Sequence, residues 1–418
     1  MIPELSSNSQ AILLLTAPLV AGRGEPSPGL LTLTEYNRLA RLLREKQWQP
    51  ADLIGSNGAD IVALVASKFG RDRIEALLAR GFLLSQAVER WSARSIWIVS
   101  RADPGYPRRL KLRLREDAPP ILYGCGDTGL LENGGLAVVG SRHVDEALTS
   151  YTEELGRIVA GAKRTLISGA ARGIDKAAMH GALQAGGNVI GVMADSLERA
   201  ALARDNRESL MDQRLVFISA YDPAAGFNVG HAMQRNKVIY ALADAALVVT
   251  SDFEKGGTWT GAIEQLERLR FVPVFVRNGS AAGRGNSALL QRGARVWPEP
   301  HTSSELDRAL AEASDEMLAV PKQEKLSFTV REESPSVNQL TVPNREQGLS
   351  PADILFQTVE RILTDELAQP RSETYVAKML GVSKAQTKKW LQQLIKRGTI
   401  EKLKKPVRYR AVGTAKLL

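Results

Sequence analysis

Residues 166–183, LISGAARGIDKAAMHGAL, decide how this chain reads. Leu166, Ile167 and Ser168 close a short apolar run, Gly169 and Gly173 punctuate a loop, and a helix of small residues follows. An arginine, Arg172, and an aspartate, Asp175, stand where strand hands over to helix. In open α/β sheets ligands gather at such handovers, outside the carboxyl ends of the strands. Asp175 reads as a helix-start carboxylate that caps amides and pairs with Arg172. A general-base role is its alternative.

The pattern repeats on both sides of this stretch. LAVVG, NVIGVM, LVFISAY, ALVVTS and VPVFVR are short β-branched runs separated by helix-length segments rich in Ala, Leu and Arg. Continuously apolar strands alternating with helices predict a mostly parallel sheet covered on both faces. The class is therefore α/β, a Rossmann-like doubly wound fold.

Two other strand ends carry similar chemistry, and a helical stretch adds cations. Gly140, Ser141 and Arg142 follow the first core strand, and Gly256, Gly257 and Thr258 open a helix after a later one. QRNKVI places Arg235, Asn236 and Lys237 before an apolar helix face. Glycines let backbone approach a ligand, helix starts point N–H groups at anions, and Arg supplies a forked cation. A Gly–Ser turn by itself is ordinary helix capping. Several such loops on one sheet edge would form a concave row suited to phosphates. His143 and His180 lie near the row and read as supporting or surface residues, since nothing resembles a nucleophile–base pair.

Composition narrows the class. The 418 residues have room for two or three domains. Cys125 is the only cysteine, which excludes an internal disulfide framework and a Cys-rich metal site and fits a cytoplasmic protein. Ala11–Ala21 is apolar but too short to span a bilayer, and reads as a buried strand or helix. No membrane association, metal, cofactor or catalysis is expected. The net charge is +9, and residues 351–418 hold 14 basic against 6 acidic side chains, an excess that would attract a polyanion.

Four regions follow. Residues 1–100 read as a mostly helical module of the SAM or helix-hairpin-helix kind; LTEYNRLARLLREKQ starts behind Thr32 or Thr34 as its cap. Residues 101–297 hold the sheet, introduced by a strand, SIWIVS, and a turn at Asp103, Pro104 and Gly105. Residues 298–350 are acidic and poor in large apolar residues, as in a mobile linker. Residues 351–418 read as helix, helix–turn–helix and ribbon, the winged-helix pattern. Its exposed basic residues would be Lys384, Lys388, Lys389, Lys402, Lys404, Lys405, Arg408 and Arg410. They suit phosphates, although such domains also dock proteins.

VVGSR, ISGAARGID, QRNKVI and GGTWTGA, in this order, resemble the DprA/Smf family of DNA-processing proteins. The resemblance covers about residues 100–297 and includes Asp103-Pro-Gly-Tyr-Pro and Pro119-Pro-Ile-Leu-Tyr. It implies an extended Rossmann-like domain that binds single-stranded DNA, forms homodimers and loads the RecA recombinase during natural transformation, as a mediator and not an enzyme. It places DNA contacts at Gly140, Ser141, Arg142, Ser168, Gly169, Arg172, Gly173, Arg235, Asn236 and Lys237. Gly256, Gly257 and Thr258 would line the same edge.

The chain departs from the family pattern at several places. Met179 stands at the usual histidine position, Ser219-Ala-Tyr221 replaces Ser-Glu-Tyr, and Ala232-Met233 replaces Phe-Pro. Gly256-Gly257-Thr258 stands for Ser-Gly-Ser, and Arg277-Asn278-Gly279 for a Pro-Gly. This is the profile of a divergent member, and it opens a role in a phage- or plasmid-defence system as an alternative to recombination. Two other readings stand beside it. One is a nucleotide-binding or nucleotide-hydrolysing sensor with Glu264 polarising a ribose or water. The other is a double-stranded DNA regulator driven by the winged helix.

Overall fold

The computed structural model describes residues 5–19, 29–55, 58–278 and 283–319, and, further on, 360, 363–364, 366–367, 369–380, 384–403 and 408–411. The chain divides into two compact units, Met1–Lys325 and Leu326–Leu418.

The first unit begins with helices: α1 (Ser7–Thr16), α2 (Leu33–Glu45), α3 (Ala59–Phe69), α4 (Arg71–Leu78) and α5 (Gly81–Ser92). The apolar run near the amino terminus is α1, whose residues 11–15 are buried. Thr32, not Thr34, caps α2, and Glu35 completes a reciprocal capping box. Arg73 of α4 clamps this helix start with a 2.7 Å ion pair to Glu35. That pair and the cap amide hold the Glu35 carboxyl well down, at about 2.

The sheet strands and their helices alternate from there. They are β1 (Trp97–Ser100), α6 (Arg108–Leu114), β2 (Ile121–Gly126), β3 (Leu136–Val139), α7 (Glu146–Gly161), β4 (Leu166–Ser168), α8 (Ile174–Gln184), β5 (Val189–Met193), α9 (Leu197–Leu202), α10 (Arg204–Met211), β6 (Leu215–Ser219), α11 (Val229–Leu242), β7 (Ala245–Val248), α12 (Gly256–Glu264), β8 (Val274–Val276), α13 (Gly283–Gln291), β9 (Arg295–Val296) and α14 (Ser303–Ala319). The nine strands form one sheet in the order β1-β2-β6-β5-β4-β3-β7-β8-β9. β3 to β9 are parallel, whereas β2 runs antiparallel to both β1 and β6.

The continuous apolar runs are explained by burial on both faces. Alternate residues feed two cores: Leu136, Val138, Val189 and Phe217 pack under α7 and α8, while Ala137, Val139, Ile190 and Val216 pack with residues of α6 and α11. This is the expected doubly wound α/β arrangement. The winding reverses at β3: β4, β5 and β6 are laid down on one side, then the chain crosses back and places β7 on the other. A crevice at the carboxyl ends of β3 and β7 follows from that reversal.

Two segments differ from the expected regions. β1 begins at Trp97, within the stretch assigned to the helical module, and is an edge strand of the large sheet. The stretch expected as a linker opens with α14, whose Leu306, Leu310 and Ala313 join the core on the α7 face. Its apolar residues recur every three or four positions among many charges, so its composition hides an amphipathic helix.

In the second unit, helices span Glu373–Leu380 and Lys384–Arg397, and strands Ile400–Leu403 and Arg408–Ala411 pair antiparallel. Leu363, Leu367, Val376, Leu391, Leu394, Ile400 and Tyr409 form its core.

Candidate nucleic-acid interface

The crevice at the β3/β7 reversal is a cavity of about 460 Å³. Gly140, Ser141, Arg142 and His143 supply one wall, Lys255, Gly256, Gly257 and Thr258 another, and α11 closes it with Arg235 and Asn236. The two loops lie more than a hundred residues apart in sequence, and side-chain bonds to backbone tie one to the other and to α11. Thr258 Oγ1 donates to the Gly140 carbonyl at 2.9 Å, and Asn236 Nδ2 donates to the Gly257 carbonyl at 2.9 Å. The N-cap residue of α12, Lys255, makes no side-chain capping bond, and among the described residues no side chain accepts from the first amides of the helix. Arg142 and Lys255 are exposed beside them.

Beneath the loops lies a buried ion pair. Arg235 Nη1 stands 3.9 Å from Asp175 Oδ2, with both side chains 7% exposed. Asp175 therefore pairs with Arg235 across the sheet edge and not with Arg172, which is exposed outside the cavity. Burial raises the Asp175 carboxyl pKa, against the pull of Arg235 and of the Ala171, Gly140 and Gly169 amides. Arg235 also donates to the Val192 carbonyl at 3.0 Å. Its buried Nε has no hydrogen-bond partner among the described residues.

Two glycines are required here. A Cβ on Gly169 would lie 1.4 Å from Arg235 Nη1 and 2.6 Å from Asp175 Oδ2. Gly173 has φ +81°, and a Cβ there would meet the Ser141 carbonyl at 2.3 Å. The first glycine admits the ion pair and the second lets the β4 loop close on the β3 loop.

The sequence-derived residues thus separate into groups. Gly140, Ser141, Arg142, Asn236, Gly256, Gly257 and Thr258 meet around the cavity, with Arg235 in its wall. Ser168 is fully buried and donates to the Val138 carbonyl at 2.6 Å, so it binds β4 to β3. Gly169 and Gly173 shape the floor. Lys237 faces elsewhere: it lines a second cavity and pairs with Glu264 at 3.5 Å. Three consecutive helical residues point about 100° apart, so Arg235, Asn236 and Lys237 cannot all face one ligand. Glu264 is held by Lys237 and, at 2.7 Å, by Arg268, and does not line the first cavity. His180 pairs with Glu153 on an exposed helix face.

Phe227 was missed by sequence reasoning. It lies on the rim, 59% exposed, with the Arg142 guanidinium 5.3 Å from its ring centre. The available signal was one large aromatic inside the polar, glycine-bearing loop AAGFNVG. Lys255 was also passed over as a cation.

In the second unit Lys388, Lys402 and Arg408 are exposed, and Arg410 is exposed but paired with Glu401 at 2.5 Å. Lys384 and Lys389 belong to the second helix, but their side chains lie outside the described residues, as do Lys404 and Lys405 entirely. No helix among the described residues is long and apolar enough to cross a membrane.

Comparison with known proteins places the sheet unit. A DNA processing protein DprA of Bacillus subtilis is 26% identical over 290 residues, 66% of this chain and 94% of that protein. Protein Smf of Escherichia coli is 32% identical over 195 residues, 44% of this chain but only half of that protein. The X-ray structure of DprA from Streptococcus pneumoniae superposes with a TM-score of 0.53 at 21% identity, covering 73% of this chain and 98% of that one, and so shares the fold. The family model for DNA recombination-mediator protein A matches residues 97–306, from β1 into α14, and the chain belongs to that family.

Proposed function

We propose that this protein binds single-stranded DNA in the β3/β7 cavity and serves as a recombination mediator. One observation carries the reading: Arg142, Lys255 and the uncapped start of α12 converge on one concavity at the switch point of the sheet. Cations and oriented amides at such a place suit the phosphates of a sugar–phosphate chain. Phe227 on the rim supports single strands over duplex, because an unpaired base has a face to stack on an exposed ring. Family membership supports DNA as the polyanion.

The finer expectations belong to the same proposal. The protein would act as a homodimer in the cytoplasm and pass the bound strand to RecA without catalysis. The C-terminal unit would form a winged helix whose Lys388 and Arg408 face duplex phosphates. The tests are direct. Fluorescence anisotropy with labelled single- and double-stranded oligonucleotides, at two salt concentrations and with Arg142→Ala alongside, should show a single-strand preference that depends on Arg142. Equal single-strand binding by the wild type and Arg142→Ala would refute the site. Strand exchange by RecA on coated single strands, with and without the protein, tests the hand-over.

A further inference from the structure

A second basic cavity, about 590 Å³, lies where α2 meets the turn after β1 and the end of α6. Arg41, Arg44, Arg101, Lys111 and Arg115 line it against one acid, Glu116. The indole of Trp48, half-buried, forms part of the wall. Arg101 is fixed in place: it donates to the Asn37 side chain at 2.6 Å, and its guanidinium lies 5.1 Å from the Tyr36 ring centre. Arg41 is the partner of Glu116, at 3.6 Å, leaving Arg44, Lys111 and Arg115 with no ion pair among the described residues. Arg115 is strained, with φ 52° and ψ −115°. That conformation suits glycine, so the fold carries a local cost at a position that presents an arginine to the cavity.

The topology puts this cavity on the same edge as the first. Because β2 opposes both β1 and β6, β1 points the same way as the parallel strands. Arg101, just beyond β1, therefore lies at the edge that carries Gly140 just beyond β3. Five strand spacings separate β1 from β3, roughly 24 Å at about 4.8 Å each. Between them, at the ends of β5 and β6, lies the cavity that Lys237 lines. It shares Arg235 with the first cavity and contains Asp117, next in sequence to Glu116 of the basic one. The three cavities form a row along one edge.

We infer that the basic cavity is a second anchor for the same DNA strand, so that a strand held in the β3/β7 cavity runs along the sheet edge to the helical module. This rests on the function proposed above. Arg44, Lys111 and Arg115 hold its phosphates, and the exposed part of Trp48 stacks a base. At the about 3.4 Å rise of a stacked strand the span is roughly seven nucleotides, and an unstacked strand, which reaches nearly twice as far per nucleotide, covers it in about four. Joining two contacts on one strand makes the second intramolecular, so strands long enough to reach both bind much more tightly.

The test compares a three-nucleotide oligothymidine, too short to reach both cavities, with a twenty-nucleotide one on the full chain, wild type against Arg44→Glu with Arg115→Gly. The glycine removes a cation while relieving the strained backbone, which favours folding. The expected result is unchanged three-mer affinity and a loss of tenfold or more for the twenty-mer. Ultraviolet cross-linking of the wild type to the twenty-mer should label the peptide containing Trp48. Equal twenty-mer binding by the variant, or cross-links that avoid that peptide, would overturn the second anchor while leaving the first cavity standing. A wild-type protein that binds neither oligonucleotide would overturn both.

Discussion

Asp175 and Arg235 face one another 3.9 Å apart beneath Gly169, one from α8 and the other from α11, on opposite faces of the sheet. The pair fixes the floor of the proposed DNA cavity. Removing one partner strands the other charge out of water, at a cost of about 3–5 kcal/mol. Asp175→Ala should lower unfolding stability by that order in a denaturant titration. Gly169→Ala should destabilise as well, because its methyl would overlap the guanidinium.

Arg142 and Lys237 separate the cavity from the cations around it. Arg142 lines it, whereas Lys237 is only 13% exposed and salt-bridged to Glu264 next to another cavity. Lys237→Ala should leave short single strands bound within about threefold of wild type. Arg142→Ala should weaken all sequences alike and reduce the salt slope by about 1. Anisotropy titrations at several salt concentrations measure both.

Phe227 stands on the rim with Arg142 against its ring. If it stacks a base, Phe227→Ala should cost about 1–3 kcal/mol of single-strand affinity. Phe227→Leu should cost nearly as much and Phe227→Tyr little, while thermal melting stays unchanged because the ring is exposed.

Glu35 and Arg73 make a pH-sensitive clamp on the helical module. The Glu35 carboxyl is lowered from 4.5 to about 2 in the folded chain by Arg73 and the Thr32 amide. A depressed folded-state pKa means stability that is present above 4.5 and lost as pH falls from there toward 2. Glu35→Gln should therefore cost about 1 kcal/mol near neutral pH. The difference from wild type should shrink through that acid window, as followed by circular dichroism.

The sheet was legible because both its faces are buried, which leaves unbroken runs such as LAVV and LVFIS. The loops that meet in the cavity were legible because glycines and cations stand at strand ends. What no local pattern could show was direction. Arg235, Asn236 and Lys237 are adjacent in sequence, yet the helix sends them into a buried ion pair, a brace and a separate cavity. Ser168 stands next to a glycine at a strand end, as Ser141 does, but it is the last residue of β4 and is turned inward by its bond to Val138. α14 was hidden by acidic composition, and Phe227 by standing outside any periodic element. Each of these is settled by tertiary packing, several elements away.

Single-strand affinity as a function of salt, for the wild type and Arg142→Ala side by side, tests the proposed cavity most directly. The expected wild-type result is a steep linear fall of log affinity with log salt, with the variant weaker at every salt and its slope shallower by about 1. Coincident lines for the two proteins, or a wild type that prefers duplex, would contradict it.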